Sequence, residues 1–497
     1  MPTSAALYLS ASLRQIEAAH AQHDLMARAG EAAAAWALQR LPERGAPVLV
    51  LAGPGNNGGD ALEMAALLCR QGITVHLVFK GLHACQPADA QRAHARFIAA
   101  GGTCLTQIPT TGGFALIVDG LFGIGLSRPL EGEYAALIHT ANALAQTWRC
   151  PLLALDCPSG LDADSGVCRG AAIIASHTLS FIAAKPGLYT AEGPDHCGDI
   201  RIDDLGLGPD LGYPPDGALV HPQDFRHCLV PRRRNSHKGS YGSIGIIGGA
   251  HAMLGAPLLA GRAALKLGAG RVFLGLLDPQ APSVDFVQPE LMLRKPEAIF
   301  DVELSALACG PGMGRSVHAA ALLERALATT VPLVLDADAL NILAFEPNLQ
   351  TALRTRRAPV VLTPHPAEAA RLLDLETAAV QDDRIAMAQE LARRFQAWVA
   401  LKGCGTLIAD PDGRWWINTT GNPGLASAGS GDVLTGLVTA LLGQGWPSTE
   451  ALLAACHLHG AAADRLAAAG IGPVGMCASE IADAARQCFN AWLAATA

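Results

Sequence analysis

An alternation that runs the whole length of this chain constrains its fold more than any other feature. Short apolar runs are separated by longer alanine- and leucine-rich stretches, and glycines and polar residues stand directly after the runs. In the first half the runs are PVLVLAG (47–53), ITVHLVF (73–79), FALIVDG (114–120), PLLALDC (151–157) and HTLSFIA (177–183). In the second they are SIGIIGG (243–249), RVFLGLL (271–277), SALACGPG (305–312), PLVLDAD (332–338), PVVLTPH (359–365) and WVALKG (398–403). Continuous apolar strands between helices dictate a parallel sheet covered on both faces. Around residues 206–217 the pattern dissolves into Gly, Pro and Asp, the composition of a linker. A chain of 497 residues exceeds one ordinary core. Two α/β domains are therefore expected, 1–220 and 221–497. Ligands of open α/β sheets bind beyond the carboxyl ends of the strands, so two separate sites are expected as well.

Composition narrows the possible ligands. Half the residues are apolar, 16% are charged and the net charge is −8. No basic block or aromatic-basic stripe appears, so nucleic acid is not an expected partner, and an anionic small molecule must be met by local groups. Lysines are scarce: Lys80, Lys185, Lys238, Lys266, Lys295 and Lys402. A lysine inside a motif is correspondingly informative. The 13 cysteines form no C-x-x-C pair, which fits reduced thiols. With no basic leader before an apolar core and no run long enough to span a membrane, a soluble cytoplasmic enzyme is expected.

In the first half, GPGNNG (53–58) satisfies G-x-G-x-x-G between a strand and a helix. The dinucleotide fingerprint also wants an acid at the end of the next strand, and Lys80 stands there instead. A glycine turn alone explains the glycines but not the paired asparagines, which place carboxamides beside a helix N-terminus suited to anions. Asp119 and Asp156 close later strands, Ser159 follows a proline-stiffened turn, and AAKPGLYT adds Lys185. Asn57, Asp119 and Ser159 are hard oxygen donors for a monovalent or alkaline-earth cation. Each taken singly is more often a cap or turn residue, and it is their recurrence at successive strand ends that points to a site.

In the second half, AGSGDVLTG (428–436) opens a helix at a glycine turn, where backbone N–H groups converge on negative charge. Asp432 is placed to take a proton from an attacking hydroxyl. LKGCGT can lay its backbone against a nucleotide, with Lys402 reaching a phosphate. His365 and Glu368 follow another strand, two prolines holding the histidine in its loop. Asp336 and Asp338 either organise metal-bound water or cap a helix.

Together NNGGD, DGLFGIGLSRP, LDCPSGLD and AKPGL resemble the epimerase domain of the bifunctional NAD(P)H-hydrate repair enzymes. HKG-YG, GPG-G, DADALN, TPHP-E, KG--T and NTTGNPGLA-AGSGDVLTG resemble the same family's dehydratase domain, a relative of the ribokinase-like kinases. The resemblance implies an N-terminal Rossmann-like three-layer sandwich and a C-terminal ribokinase-like α/β domain. It implies that Asn56, Asn57, Gly58, Gly59, Asp60, Gly123, Ile124, Gly125, Leu126, Ser127, Arg128, Pro129 and Asp156 bind the hydrated dinucleotide, with Asp156 as acid/base. Asn57, Asp119 and Ser159 would hold K+. Ala256, Gly314, His365 and Asp432 would bind the substrate of the second site, with Asp432 catalytic. Lys402, Gly403, Cys404, Gly405, Thr406 and Gly431 would bind ADP, accompanied by Mg2+.

The expected activity is repair of hydrated NADH and NADPH. One half epimerises the R and S hydrates, and the other dehydrates the S form at the expense of ADP, giving AMP and phosphate through a phosphorylated intermediate. A homo-oligomer is expected. Three residues depart from the family pattern: Ala61 after NNGGD, Ile124 in GIGL and Ala367 in HPAE. The alternatives are a vitamin or sugar kinase fused to a Rossmann-like domain, and a first half that binds without catalysing.

Overall fold

A computed structural model of the protein describes residues 6–41, 45–81, 86–109, 113–126 and 128–496. Ser127 lies outside the described residues. The chain divides into two compact units, Met1–Ala218 and Leu219–Ala497.

The first unit opens with β1 (Ala6–Leu7) and is built on β2 (Val48–Ala52), β3 (Val75–Phe79), β4 (Cys104–Leu105), β5 (Leu116–Gly120), β6 (Leu152–Leu155), β7 (His177–Phe181) and β8 (Asp199–Asp203). The sheet runs β4-β3-β2-β5-β6-β7-β8, and each described pairing in it is parallel. β2 shows why continuous apolar runs were required. Val48, Val50 and Ala52 enter one core cluster, and Leu49 and Leu51 enter another on the opposite face. Each fully buried side chain of this size contributes about 1.5–3 kcal/mol. β1 pairs antiparallel with β9 (Gly217–Leu219). β4 and β8 were not expected from the sequence. β4 is two residues long and β8 reads DIRID with no fully buried position, so neither carries an apolar run.

The second unit contains β10 (Ser243–Gly248), β11 (Arg271–Leu276), β12 (Met292–Arg294), β13 (Ala306–Cys309), β14 (Leu333–Leu335), β15 (Val360–Leu362), β16 (Trp398–Leu401), β17 (Thr406–Ala409) and β18 (Trp415–Asn418). Their order is β18-β17-β16-β15-β14-β13-β10-β11-β12. The expected parallel sheet runs from β12 to β16, whereas β16–β17 and β17–β18 are antiparallel. The four residues 402–405 are too few for a crossover, which needs a dozen or more, so the chain turns back on itself. Helix Ser430–Gly443 packs on helix Gly255–Lys266 so closely that a Cβ on Gly436 would lie 2.1 Å from the Ala260 carbonyl oxygen.

Both sheets reverse their direction of growth once, between β2 and β5 and between β10 and β13. A reversal leaves a crevice at the carboxyl ends of the neighbouring strands. The glycine-rich and acidic motifs follow these strands.

Candidate active sites

In the first unit the turn after β2 is forced by close approach. A Cβ on Gly58 would lie 1.9 Å from the Gly53 carbonyl oxygen, and one on Gly53 would lie 1.9 Å from that of Leu121. Helix Asn56–Arg70 thus starts hard against the end of β5, with Asn56 exposed and Asn57 buried. Both side-chain polar atoms of Asn57 are buried without a hydrogen-bond partner. Asp119 is fully buried and accepts from the Ser159 hydroxyl at 2.7 Å and the Ser159 amide at 2.8 Å. Burial pushes Asp119 up to about 6, against the lowering effect of the hydrogen bonds from Ser159 and Leu121. An orphaned carboxamide, a buried carboxylate and a hydroxyl fit a hard monovalent cation. Among the described residues no group of three His, Cys, Asp or Glu side chains is arranged to hold a metal ion.

Gly123 sits between two of these groups. A Cβ there would lie 2.7 Å from Asp156 Oδ2 and 3.5 Å from Asn57 Cγ. Asp156 itself occupies the left-handed region at φ 66°. Its Oδ1 is 2.8 Å from the ammonium of Lys185, which is 2% exposed and also donates to Ser180 Oγ and the Phe181 carbonyl. Its Oδ2 receives the Ile124 amide at 3.4 Å. The contribution of Ile124 is therefore its backbone, which any residue supplies. Ala61 is fully buried, its Cβ 2.5 Å from where a Gly120 Cβ would be. Burial and the charges of Asp156, Glu17 and Glu63 raise Asp60 well above the usual carboxylate range. Gly59 is buried, Gly125, Arg128 and Pro129 are exposed, and Leu126 closes the turn through its amide to Gly123.

The second site gathers residues from five strand ends. Lys402, after β16, lies 2.7 Å from Asp336 Oδ1 and 3.9 Å from Glu368 Oε2. Asp336 Oδ2 accepts from Thr435 at 2.7 Å. Asp336 precedes helix Ala337–Phe345 but makes no side-chain cap bond, so the capping reading fails for it and the ion pair replaces it. Asp338 accepts the Gly314 amide at 2.8 Å, tying the loop after β13 to the first turn of helix Ala337–Phe345. Gly312 lies against Ala256, whose Cβ is 3.3 Å from a Cβ built there.

His365 is the N-cap of helix Pro366–Leu373. Its Nδ1 accepts from the amides of Ala367 and Glu368, which puts the proton of the neutral ring on Nε2, 3.2 Å from Glu368 Oε1. Burial, then the charge of Lys402, lowers its pKa. Ala367 fits this cap without disturbance, because it takes part through its amide.

Helix Ser430–Gly443 begins at Gly429, φ 86°, and carries Asp432 in its first turn. Burial, then Asp336, pushes Asp432 up to about 7, with Asp338 and Glu368 adding to the rise and Lys402 opposing it. A Cβ on Gly431 would lie 3.4 Å from Lys402 Nζ. Burial disfavours the Lys402 charge, yet Asp336, Glu368 and Asp432 together hold its pKa up. The preceding NTTGNPG segment is structural. Asp464 accepts from the Gly421 amide and from Asn422, and Asn418 donates to the Cys456 carbonyl, so the segment is stapled to helix Ser448–Ala468.

Sequence reasoning missed several of these groups. Glu17, on helix Ser10–Ala19, is raised by burial and then by Asp156, and the neighbouring Arg14 donates to the Ile124 carbonyl at 3.2 Å. Thr435 sits inside DVLTG, where it reads as an ordinary helix residue. Arg384 has no motif around it. The scarcity of lysine was the useful signal: two of the six, Lys185 and Lys402, pair with site carboxylates.

Two α/β units, each setting a lysine–aspartate pair at the carboxyl edge of its sheet, define a two-site enzyme. Its closer relatives say which. The family described as NAD(P)H-hydrate dehydratase matches residues 244–487, and the YjeF-related protein N-terminus matches 22–187. The bifunctional NAD(P)H-hydrate repair enzyme Nnr of Coxiella burnetii is 37% identical over 490 residues, 96% of this chain and 97% of its own. That of Escherichia coli is 38% identical over 476 residues, 94% and 90% of the two chains. An ADP/ATP-dependent NAD(P)H-hydrate dehydratase from Bacillus subtilis, co-crystallised with ATP/Mg2+, is 30% identical, with a TM-score of 0.49, over 55% of this chain and 98% of its own. The chain belongs to the bifunctional NAD(P)H-hydrate repair enzymes, an epimerase half joined to a dehydratase half. The alternative of a vitamin or sugar kinase with a non-catalytic partner domain finds no support among these relatives. No helix among the described residues is long and apolar enough to cross a membrane.

Proposed function

We propose that the second unit dehydrates the S hydrates of NADH and NADPH at the expense of ADP, and that the first unit interconverts the R and S hydrates. The observation that carries the first part is Asp432, pushed up to about 7 in the opening turn of a helix whose amides converge beside it. Hydroxide is a poor leaving group and phosphate a good one. Asp432 takes the proton of the substrate hydroxyl, whose oxygen attacks the terminal phosphorus of ADP as AMP leaves. The ring nitrogen's lone pair then expels phosphate, and loss of the adjacent C–H proton restores the double bond. Ala256, Gly314 and His365 line the substrate side in this reading, and residues 402–406 with Gly431 meet the nucleotide. Asp336, Glu368 and Asp432 act on one ammonium. No three His, Cys, Asp or Glu side chains among the described residues are arranged to hold a metal ion, so Mg2+ would come coordinated by the phosphates of the nucleotide. Bound there with the nucleotide, Mg2+ would neutralise phosphate charge.

In the first unit, Asp156 is the acid/base at the hydroxylated carbon, and Lys185 fixes its carboxylate. The loops Asn56 to Asp60 and Gly123 to Pro129 hold the dinucleotide. Asn57, Asp119 and Ser159 would hold K+, which would supply positive charge to offset that of the dinucleotide.

The test supplies purified protein with mixed NADH hydrates, Mg2+, and ADP or ATP, and follows NADH absorbance together with AMP and phosphate. One NADH per nucleotide is expected. NADH regained with no nucleotide consumed would sink the phosphorylation step, and a phosphorylated product without NADH would mean a kinase. Replacing K+ with tetramethylammonium is expected to slow use of the R form alone, and an unchanged rate would remove K+ from the site.

The pH dependence has a definite sign. Asp432 acts as a base when ionised, and with its pKa raised to about 7 it ionises only as pH climbs through neutrality. The dehydratase kcat is expected to fall about tenfold per pH unit below 7 and to level off above it. A flat profile between pH 5 and 8 would exclude Asp432 as the base.

A further inference from the structure

Helix Arg384–Phe395 begins on an arginine that is 2% exposed. This is a costly place for it. A cation opposes the positive end of the helix dipole, and burial lowers its pKa to about 10, which leaves it charged at neutral pH. The guanidinium is spent on backbone. It donates to the carbonyls of Leu401 at 3.3 Å, Gly405 at 3.4 Å and Lys402 at 3.5 Å, and to the Gln381 amide oxygen at 2.9 Å. Gly403, at φ 145°, passes so near that a Cβ there would lie 2.6 Å from Nη1.

In a trans peptide the carbonyl and the following N–H point in opposite directions. Drawing the Leu401, Lys402 and Gly405 carbonyls toward Arg384 therefore sends the N–H groups of Lys402, Gly403 and Thr406 the other way. The Lys402 amide bears this out by bonding the Pro364 carbonyl at 2.8 Å. Gly403 and Cys404 are exposed, so the outer side of the turn is open to a ligand. The Lys402 ammonium is already held by Asp336 and its amide by Pro364. What this turn offers an anion is the backbone N–H beyond Lys402, aimed from behind by a buried cation.

We propose that Arg384 is a positioning residue for the nucleotide: it orients the 402–406 turn so that its amides meet a phosphate of ADP. The proposal rests on the reading of that turn as the nucleotide loop. Arg384→Lys keeps the charge but cannot span three carbonyls, and Arg384→Gln keeps donors without the charge. Both are expected to raise the apparent KM for ADP about tenfold or more, while the KM for S-hydrate stays within about twofold and kcat within about threefold. Titration with a fluorescent ADP analogue is expected to show the same loss of affinity without hydrate present. Cys404→Asp, which sets a negative charge on the outer side, provides the comparison. If Cys404→Asp weakens ADP binding and both Arg384 variants bind normally, the positioning role is overturned and the loop reading stands. If none of the three changes ADP binding, the loop reading itself falls. A kcat loss in the Arg384 variants with unchanged ADP affinity would assign Arg384 to general structural support and overturn the proposal.

Discussion

Asp432→Asn is expected to lose dehydration about 10²–10⁴-fold while the R and S hydrates still interconvert at the normal rate. Asparagine is nearly the same size and keeps a carbonyl in the first turn of helix Ser430–Gly443, so packing on helix Gly255–Lys266 is undisturbed. What disappears is the ability to take a proton. The substitution also removes one member of a crowded set of carboxylates, since Asp336, Asp338 and Glu368 all resist ionisation of Asp432. Thermal stability above neutral pH is therefore expected to hold or rise slightly, which separates loss of chemistry from loss of fold. A further signature is kinetic: the fall in kcat below pH 7 should vanish with the base. The measurement is single-turnover conversion of S-hydrate with ADP across pH 5 to 9. Should the variant retain more than a tenth of wild-type activity, another group takes the proton.

The elements that were readable in advance share a physical reason. A buried parallel strand must be apolar at every position, so β2 and β10 announce themselves as VLVLA and SIGIIG, and the residues just beyond them are where ligands meet the sheet. Asp119 and Asp156 were legible because they close strands, and Asp432 because it opens a helix beside glycine. What stayed hidden depends on pairings made across the fold. Lys185 was conspicuous by rarity, yet nothing nearby in the chain says that it meets Asp156. Arg384 shares the spacing of Ile385, Ala388, Leu391 and Phe395 on the buried face of its helix, and an arginine there reads as a surface ion pair until its carbonyl acceptors are seen. The β16–β18 antiparallel edge was missed because WVAL, TLIA and WWIN are four residues each, too short for periodicity to reveal direction. Ala61, Ile124 and Ala367 depart from the family pattern. In the fold, Ala61 fills a gap against Gly120, and Ile124 and Ala367 act through backbone amides.

Removing the carboxylate at Asp156 should produce a different failure, visible in the shape of a progress curve. Wild-type protein given mixed hydrates with excess ADP is expected to convert all of them, because the R form is fed into the S pool. Asp156→Ala is expected to convert the S fraction at the normal initial rate and then stall, the remainder advancing only at the spontaneous rate of epimerisation. Alanine carries a second cost. It strands the Lys185 ammonium, 2% exposed and 2.8 Å from the missing oxygen, and breaking a buried pair in this way costs about 3–5 kcal/mol. It also places a residue with no side-chain hydrogen bond at φ 66°, a conformation that aspartate and asparagine tolerate better. Asp156→Asn reduces both costs: its carboxamide oxygen still accepts from Lys185, although it brings no charge to offset the ammonium, and asparagine tolerates the left-handed position. If Asp156→Asn stalls after the S fraction while its first unit unfolds at the wild-type temperature, proton transfer at Asp156 accounts for epimerisation. If it runs to completion as wild type does, Asp156 serves to anchor Lys185, and the acid/base must be sought among Asp60 and Glu17, whose pKa values burial raises beside it.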